Sequence, residues 1–137
     1  MKTVTITAPV FNEEMVVESF LNELASTVIP LAERYDFRIL LVNDGSTDQT
    51  LGILRNYQGK LPMRVVSLSR NFGHPIACAA CLKMAEGDAV ILMDSDLQDD
   101  PAGILPFLEK WENGYDVVYG IRERRQEPWL LRFLFHS

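Results

Sequence analysis

The sequence predicts an α/β fold built on a mostly parallel sheet with helices on both faces. Two observations carry that prediction. Segments with strand character alternate with segments of helical apolar spacing along the chain, and one of them, RILLVN, is the continuous apolar run that a sheet covered on both faces produces. A third observation concerns placement: the prolines, carboxylates and arginines that suit a core least fall just after the strand segments, where such sheets bind ligands.

The elements follow in order. Val4, Ile6, Ala8 and Val10 alternate with threonines, the period-two signature of a strand ending at Pro9 or Val10. From Glu13 onward Val16, Val17, Phe20, Leu21, Leu24 and Val28 recur at helical spacing, with acids in the first turn where the helix dipole favours them and Pro30 at the end. RILLVN is the second strand and stops at Asp44-Gly45. Ser46 and Gln49 form an S-x-x-Q capping box before a helix marked by Leu51, Leu54 and Tyr57. RVVSL is the third strand, and an alanine-rich helix runs from Gly73 to Met84 before Gly87 ends it. AVILM is the fourth strand. After DSDLQDDP, Asp100 caps and Pro101 opens a helix carrying Ile104, Leu105, Leu108 and Trp111, which Asn113-Gly114 closes. DVVYG is the fifth strand, followed by Arg122, Arg124, Arg125 and a final amphipathic piece. Right-handed crossovers join the strands.

Bulk properties narrow the function. A chain of 137 residues has room for one domain with a single core. Its hydrophobic content of 47% and charged content of 23% exclude the disordered and fibrous classes. A net charge of −6 argues against a nucleic-acid partner, so a phosphorylated ligand requires a locally basic or metal-filled site. Cys78 and Cys81, within IACAACLKMA, read as small helix-packing residues; a zinc site lacks its second cysteine pair. The N-terminus has no signal-peptide pattern, and no stretch reaches the roughly 18 apolar residues of a membrane span. A cytoplasmic location is expected. The apolar tail WLLRFLFHS reads as the start of an interfacial helix, through which a missing C-terminal part would associate with the membrane's inner face.

Five constellations carry chemistry, and several have a second reading. MDSDLQDD crowds Asp94, Asp96, Asp99 and Asp100 into one turn. Asp99 and Asp100 suit a helix N-terminus, whereas Asp94 and Asp96 leave a buried strand directly, where unpaired carboxylates are costly. Mg2+ or Mn2+ shared with a diphosphate offsets that cost, with Gln98 as a further oxygen ligand; capping and solvation of the turn is the alternative. Asp44 either supports the Asp-Gly bend or accepts hydrogen bonds from a nucleobase or ribose. Asn12 and Glu13 either cap the helix or leave Glu13 to a ribose hydroxyl, with Pro9 and Phe11 as an apolar wall beside a base. Arg70 and Arg122 are lone cations at an acidic sheet edge, suited to a phosphate or sugar and equally to an ordinary surface. His74 reads as a loop or helix-start residue.

APVFNEE, VNDGSTDQT, LSRNFGHPIA, MDSDLQDDP and GYDVVYGIRERR, in this order, resemble the family 2 inverting glycosyltransferases, and within them the polyprenyl-phosphate branch of dolichol-phosphate mannose synthases and undecaprenyl-phosphate glycosyltransferases. The resemblance covers residues 4 to 125. It implies the GT-A fold, here incomplete, with residues 1–137 as the nucleotide-sugar-binding N-terminal part of a catalytic domain. It implies that Pro9, Phe11, Glu13 and Asp44 surround the nucleotide and that Asp94 and Asp96 are the family's D-x-D. Asp96 and Gln98 would be metal ligands, Arg122 would meet phosphate at the reaction centre, and Arg132 would be a second such arginine. The implied partners are a UDP- or GDP-linked sugar donor and a polyprenyl phosphate acceptor. Transfer to a saccharide hydroxyl and a non-catalytic sugar-nucleotide binder are the alternatives. A response-regulator receiver fits poorly, because Asn-Glu-Glu follows strand one and Arg122, not lysine, follows strand five.

Overall fold

The computed structural model describes residues 1–96 and 99–116 in full and the backbone of 117–121 and 130–134. Gln98 and Arg122 lie outside the described residues, as does the side chain of Arg132. Two compact units divide the chain at Pro101.

In the first unit four strands form one parallel sheet in the order β3-β2-β1-β4: β1 is Lys2–Val10, β2 Tyr35–Asn43, β3 Met63–Ser67 and β4 Ala89–Leu92. α1 (Val17–Val28) and α2 (Thr50–Arg55) follow the first two strands and pack together, while α3 (His74–Met84) lies across β1, β2 and β4. The chain steps outward twice, from β1 to β3, then doubles back to place β4 on the far side of β1. With right-handed crossovers that reversal sends α3 to the opposite face from α1 and α2.

Burial agrees with a sheet covered on both sides. Every residue of β1 from Val4 to Val10 is buried, threonines included. On one face Leu40 and Val42 pack with Cys81 of α3, and Val66, Leu68, Ala80 and Ala85 close around them. The small side chains of α3 let the helix approach the sheet closely, which is the packing role read for IACAACLKMA. α1 contributes Val17, Phe20, Leu21, Leu24 and Val28, all buried, and Leu54 of α2 is buried as well. Burying a side chain of this kind is worth about 1.5–3 kcal/mol.

Several expectations need correction. β2 begins at Tyr35, earlier than RILLVN implied: Tyr35 and Phe37 are buried while Asp36 and Arg38 are exposed, so its first half alternates and only the second half is buried throughout. α1 begins at Val17 because the amides of Glu13 and Glu14 go to side chains of another loop, and the amides of Val16 and Val17 both turn back to the Glu13 carbonyl. The Ser46–Gln49 capping box does not form. Gln49 occupies the cap position with no side-chain bond, and the Asp48 carboxylate accepts from the Thr50 amide instead. Pro101 opens a 3-10 turn, and the α-helix proper, α4 (Ile104–Glu112), starts after Gly103.

The second unit contains α4, packed against β5 (Val117–Ile121), and an antiparallel pairing of β5 with β6 (Leu130–Leu134). The fifth strand therefore does not extend the parallel sheet. Leu130–Leu134, read from sequence as the start of an interfacial helix, is a strand because Val117 to Ile121 gives it a hydrogen-bonding partner along its whole length. Among the described residues no helix is long and apolar enough to cross a membrane.

Candidate functional site

The strand order has one reversal, between β1 and β4, and a parallel sheet opens a crevice where its crossovers diverge. A cavity of about 380 Å³ lies there, lined by Pro9 at the end of β1, Phe11 and Glu13 after it, Asp44 after β2, Asn71, Gly73 and His74 around the start of α3, and Asp94 to Asp96 after β4. That volume suits a small-molecule ligand. The fold thus brings together six residues expected from sequence: Pro9, Phe11, Glu13, Asp44, Asp94 and Asp96.

Hydrogen bonds between loops hold these side chains in place. Asn12 adopts a left-handed conformation, φ 49°, which asparagine tolerates better than most residues. Its amide donates to Ser46 Oγ at 3.0 Å, and its side-chain oxygen accepts from the Thr47 amide at 2.8 Å. The Glu13 amide donates to Thr50 Oγ1 at 2.8 Å, and Glu14 Oε2 accepts from the Gln49 amide at 3.0 Å. With its main chain fixed by these bonds, Glu13 is carried into the cavity. Asn12 does not cap α1, whose cap position is Val16 with no side-chain bond; the Asn12 side chain instead joins the β1–α1 loop to the loop after β2.

The β2–α2 loop is tied in turn to the β3–α3 loop. Asp44, only 2% exposed, accepts at Oδ1 from the Phe72 amide at 2.8 Å and at Oδ2 from the Gly73 amide and Asn71 Nδ2, both at 3.1 Å. Asn43 Nδ2 donates to Ser67 Oγ at 3.2 Å. Across the crevice, the buried Ser95 hydroxyl donates to the Pro9 carbonyl at 3.1 Å, and the Asp94 amide donates to Asp99 Oδ2 at 2.8 Å.

Electrostatically the cavity is acidic. Burial pushes the Glu13 carboxyl above the ordinary carboxylate range, and repulsion from Asp96, Asp48 and Asp94 adds to it. His74 Nε2 stands 3.7 Å from Asp94 Oδ1 and 3.4 Å from Cys78 Sγ. Arg70 does not reach the cavity: its guanidinium lies 3.9 Å from the centre of the Phe72 ring and donates to the Asn71 carbonyl at 3.1 Å. An arginine beside an aromatic ring stacks on it, which removes the phosphate contact as the simplest account of this residue. Asn71, His74 and Ser95 are polar cavity residues that the sequence reading did not assign to the site. Asn71 stands next to Arg70 at a strand end, so position alone offered a signal; Ser95 offered none beyond lying between two aspartates.

Among the described residues no group of three or more His, Cys, Asp and Glu side chains is gathered to hold a metal ion alone. Asp94 and Asp96 nevertheless line one cavity. A Mg2+ site bound through one or two carboxylates, completed by water and substrate phosphate, asks no more of the protein. The donor set fits such an ion.

Residues 5–136 match the family described as Glycosyl transferase family 2. The chain belongs to that family. Among its family 2 relatives is the uncharacterized glycosyltransferase YkcC of Bacillus subtilis, 42% identical over 123 residues, which are 89% of this chain and 38% of the relative. Another is the undecaprenyl-phosphate 4-deoxy-4-formamido-L-arabinose transferase of Edwardsiella ictaluri, 37% identical over 131 residues, 94% of this chain and 40% of that one. Among solved structures, S. aureus TarS 1-349 in complex with UDP-GlcNAc superposes with a TM-score of 0.63 and 32% identity, covering 82% of this chain and 32% of TarS. The chain spans about two fifths of the length of the curated relatives it matches. The four-stranded parallel sheet is accordingly an incomplete GT-A fold.

Proposed function

We propose that this protein is a glycosyltransferase that moves a sugar from a UDP- or GDP-linked donor to a polyprenyl phosphate with inversion, using Mg2+ or Mn2+. In this reading residues 1–137 are the nucleotide-sugar-binding N-terminal part of the catalytic domain. The carrying observation is the cavity at the β1/β4 reversal, where apolar Pro9 and Phe11 with Glu13 on the β1 side meet Asp94 and Asp96 on the β4 side. Family membership and a relative named as an undecaprenyl-phosphate sugar transferase support the choice of reaction.

Pro9 and Phe11 form a wall for the flat base, and Glu13 accepts from a ribose hydroxyl. Asp44 closes the same region from β2. Asp94 and Asp96 hold the divalent cation, with Gln98 as a further oxygen donor. When bound, that ion supplies positive charge to the diphosphate as negative charge builds on it. Arg122 meets phosphate at the reaction centre, and Arg70 serves the donor only by swinging off Phe72. In the transfer, the bond from the anomeric carbon to the diphosphate oxygen breaks while an acceptor phosphate oxygen bonds to the same carbon from the opposite face. The electron pair of the broken bond leaves on the nucleoside diphosphate. The acceptor is already an anion, so no general base is required. A position at the inner face of the membrane follows from a lipid acceptor.

Calorimetric titration with UDP and with GDP, each with and without Mn2+, tests the donor site. Metal-dependent binding of one nucleotide is expected and names the base. Absence of binding to either, in protein shown to be folded and extending through the acceptor half, overturns the reading. Transfer of labelled sugar to undecaprenyl phosphate, rather than to a saccharide hydroxyl, tests the acceptor.

A further inference from the structure

Thr50, fully buried at 0% exposure, opens α2 at the point where two loops meet. A hydroxyl has one hydrogen to donate and lone pairs with which to accept. Thr50 Oγ1 donates to Asp48 Oδ1, so its single hydrogen is committed, and a lone pair accepts from the Glu13 amide at 2.8 Å. Asp48 is held in turn: the Thr50 amide donates to its Oδ1 at 2.9 Å and the Glu14 amide to its Oδ2 at 3.2 Å. Without exposure, the Thr50 hydroxyl has no solvent to turn to instead. A second, independent observation lies on the other side of Glu13. Its carbonyl accepts from the amides of Val16 and Val17, at 3.0 and 2.8 Å, where α1 begins. The main chain of Glu13 is thus pinned at both its amide and its carbonyl, and Glu13 is a half-buried residue of the cavity wall.

We infer that Asp48 and Thr50 together set ribose selectivity: Asp48 fixes the rotation of the Thr50 hydroxyl, Thr50 holds the Glu13 amide, and the Glu13 carboxylate is thereby placed for a ribose hydroxyl. Both are positioning residues, since neither lines the cavity and each acts through Glu13. This inference rests on the proposed reading of Glu13 and deepens it, because it assigns the selectivity to two residues of a different loop. Support of the first turn of α2 accounts for the bond from the Thr50 amide to Asp48. It does not account for the bonds that cross to the amides of Glu13 and Glu14.

The test measures, on the full chain with Mn2+, the affinity of UDP and GDP against that of their 2′-deoxy and 3′-deoxy forms, together with hydrogen exchange of the Glu13 amide in nucleotide-free protein. Wild type is expected to prefer a ribonucleotide over one of its deoxy forms by about tenfold or more, the size of a hydrogen bond to a charged group. Glu13→Ala removes that preference. Thr50→Val is expected to speed exchange of the Glu13 amide by about tenfold and to cut the preference by at least about threefold, while binding stays Mn2+-dependent. Thr50→Ser keeps the hydroxyl and restores both readouts. Asp48→Ala leaves that hydroxyl in place but free to turn, and is expected to lower the preference as Thr50→Val does; it decides the matter if Thr50→Val fails to fold. Adding Thr50→Val to Glu13→Ala leaves the preference where Glu13→Ala put it, because the two residues act through Glu13 alone. An equal loss of affinity for ribose and deoxy forms would mark a purely structural role and overturns the inference. If wild type shows no preference for ribose, the reading of Glu13 fails and the inference falls with it. A wild-type preference that Thr50→Val and Asp48→Ala both leave intact overturns the inference alone.

Discussion

The Ser95 hydroxyl donates to the Pro9 carbonyl at 3.1 Å, tying the end of β4 to the end of β1 at the one place where the sheet reverses its order. Ser95 is buried, 3% exposed, while its neighbours Asp94 and Asp96 are partly exposed and line the cavity. Anchoring the middle residue of D-S-D sets where both carboxylates stand. Ser95→Ala leaves a buried carbonyl unsatisfied and is expected to cost about 1–3 kcal/mol in urea unfolding. It should also weaken Mn2+-dependent nucleotide binding; retained affinity would reduce Ser95 to a structural tie.

Asp96→Asn keeps the side-chain volume and removes a charge from an acidic cavity, so the fold is expected to survive. Loss of the metal-dependent part of nucleotide affinity by at least about tenfold is expected, in line with the effect of altering even a residue that only supports a metal ligand. Titration with and without Mn2+ reads this directly. Equal affinity of wild type and variant with Mn2+ would remove Asp96 from the metal site.

The Glu13 carboxyl is pushed up by burial and then by the aspartates around it. A folded-state value above the unfolded one makes its favourable contribution full below the ordinary 4.5 and lost as pH rises through the folded value. At pH 7 the wild-type protein therefore carries this repulsion and Glu13→Gln does not. The variant should unfold at higher urea than wild type near neutrality, with the gap closing below the ordinary carboxylate range. A gap that does not vary with pH would assign the effect to packing.

Asp48 shifts the other way. Burial raises its carboxyl, but bonds from the Thr50 hydroxyl and amide and from the Glu14 amide outweigh it, leaving the value below the ordinary 3.8. Its contribution is present above that value and disappears as pH falls through the folded one. Thr50→Val removes the hydroxyl that serves both Asp48 and the Glu13 amide, and is expected to cost about 1–3 kcal/mol at neutral pH. Urea unfolding across the acid limb should show that deficit shrinking as Asp48 becomes protonated in both proteins.

Gly45→Ala places a methyl group against the Arg70–Asn71 backbone in a left-handed conformation. A destabilisation of about 2 kcal/mol or more is expected, from the conformational penalty together with the overlap. Thermal unfolding measures it. A neutral substitution would show that the two loops are free to separate.

How far the sequence alone reached is visible in particular residues. Val4 to Val10 announced its strand by the alternation of apolar residues with threonines, and RILLVN by the apolar run that burial on both faces demands. Pro9, Phe11, Glu13, Asp44, Asp94 and Asp96 were legible as a site because each interrupts such a run at its carboxyl end, and the fold places all six on one cavity. Boundaries were less legible. The start of α1 at Val17 depends on where the amides of Glu13 and Glu14 find acceptors, and those acceptors, Thr50 and Asp48, are more than thirty residues away in sequence.

The sequence by itself determined the α/β class, the succession of elements as far as β5 and the chemistry available at the strand ends. These follow from local spacing and residue type, which fix which face of an element is apolar and where the chain must turn. Tertiary structure alone decided the order β3-β2-β1-β4, hence the position of the crevice, and the pairing of β5 with β6. It also separated residues that look alike in the sequence. Glu13 opens into the cavity while Asp44 is bound by Asn71, Phe72 and Gly73, and Arg70 rests on Phe72. The physical reason is that a polar side chain takes the partner nearest in space, and spacing along the chain does not say which loop the fold will bring beside it.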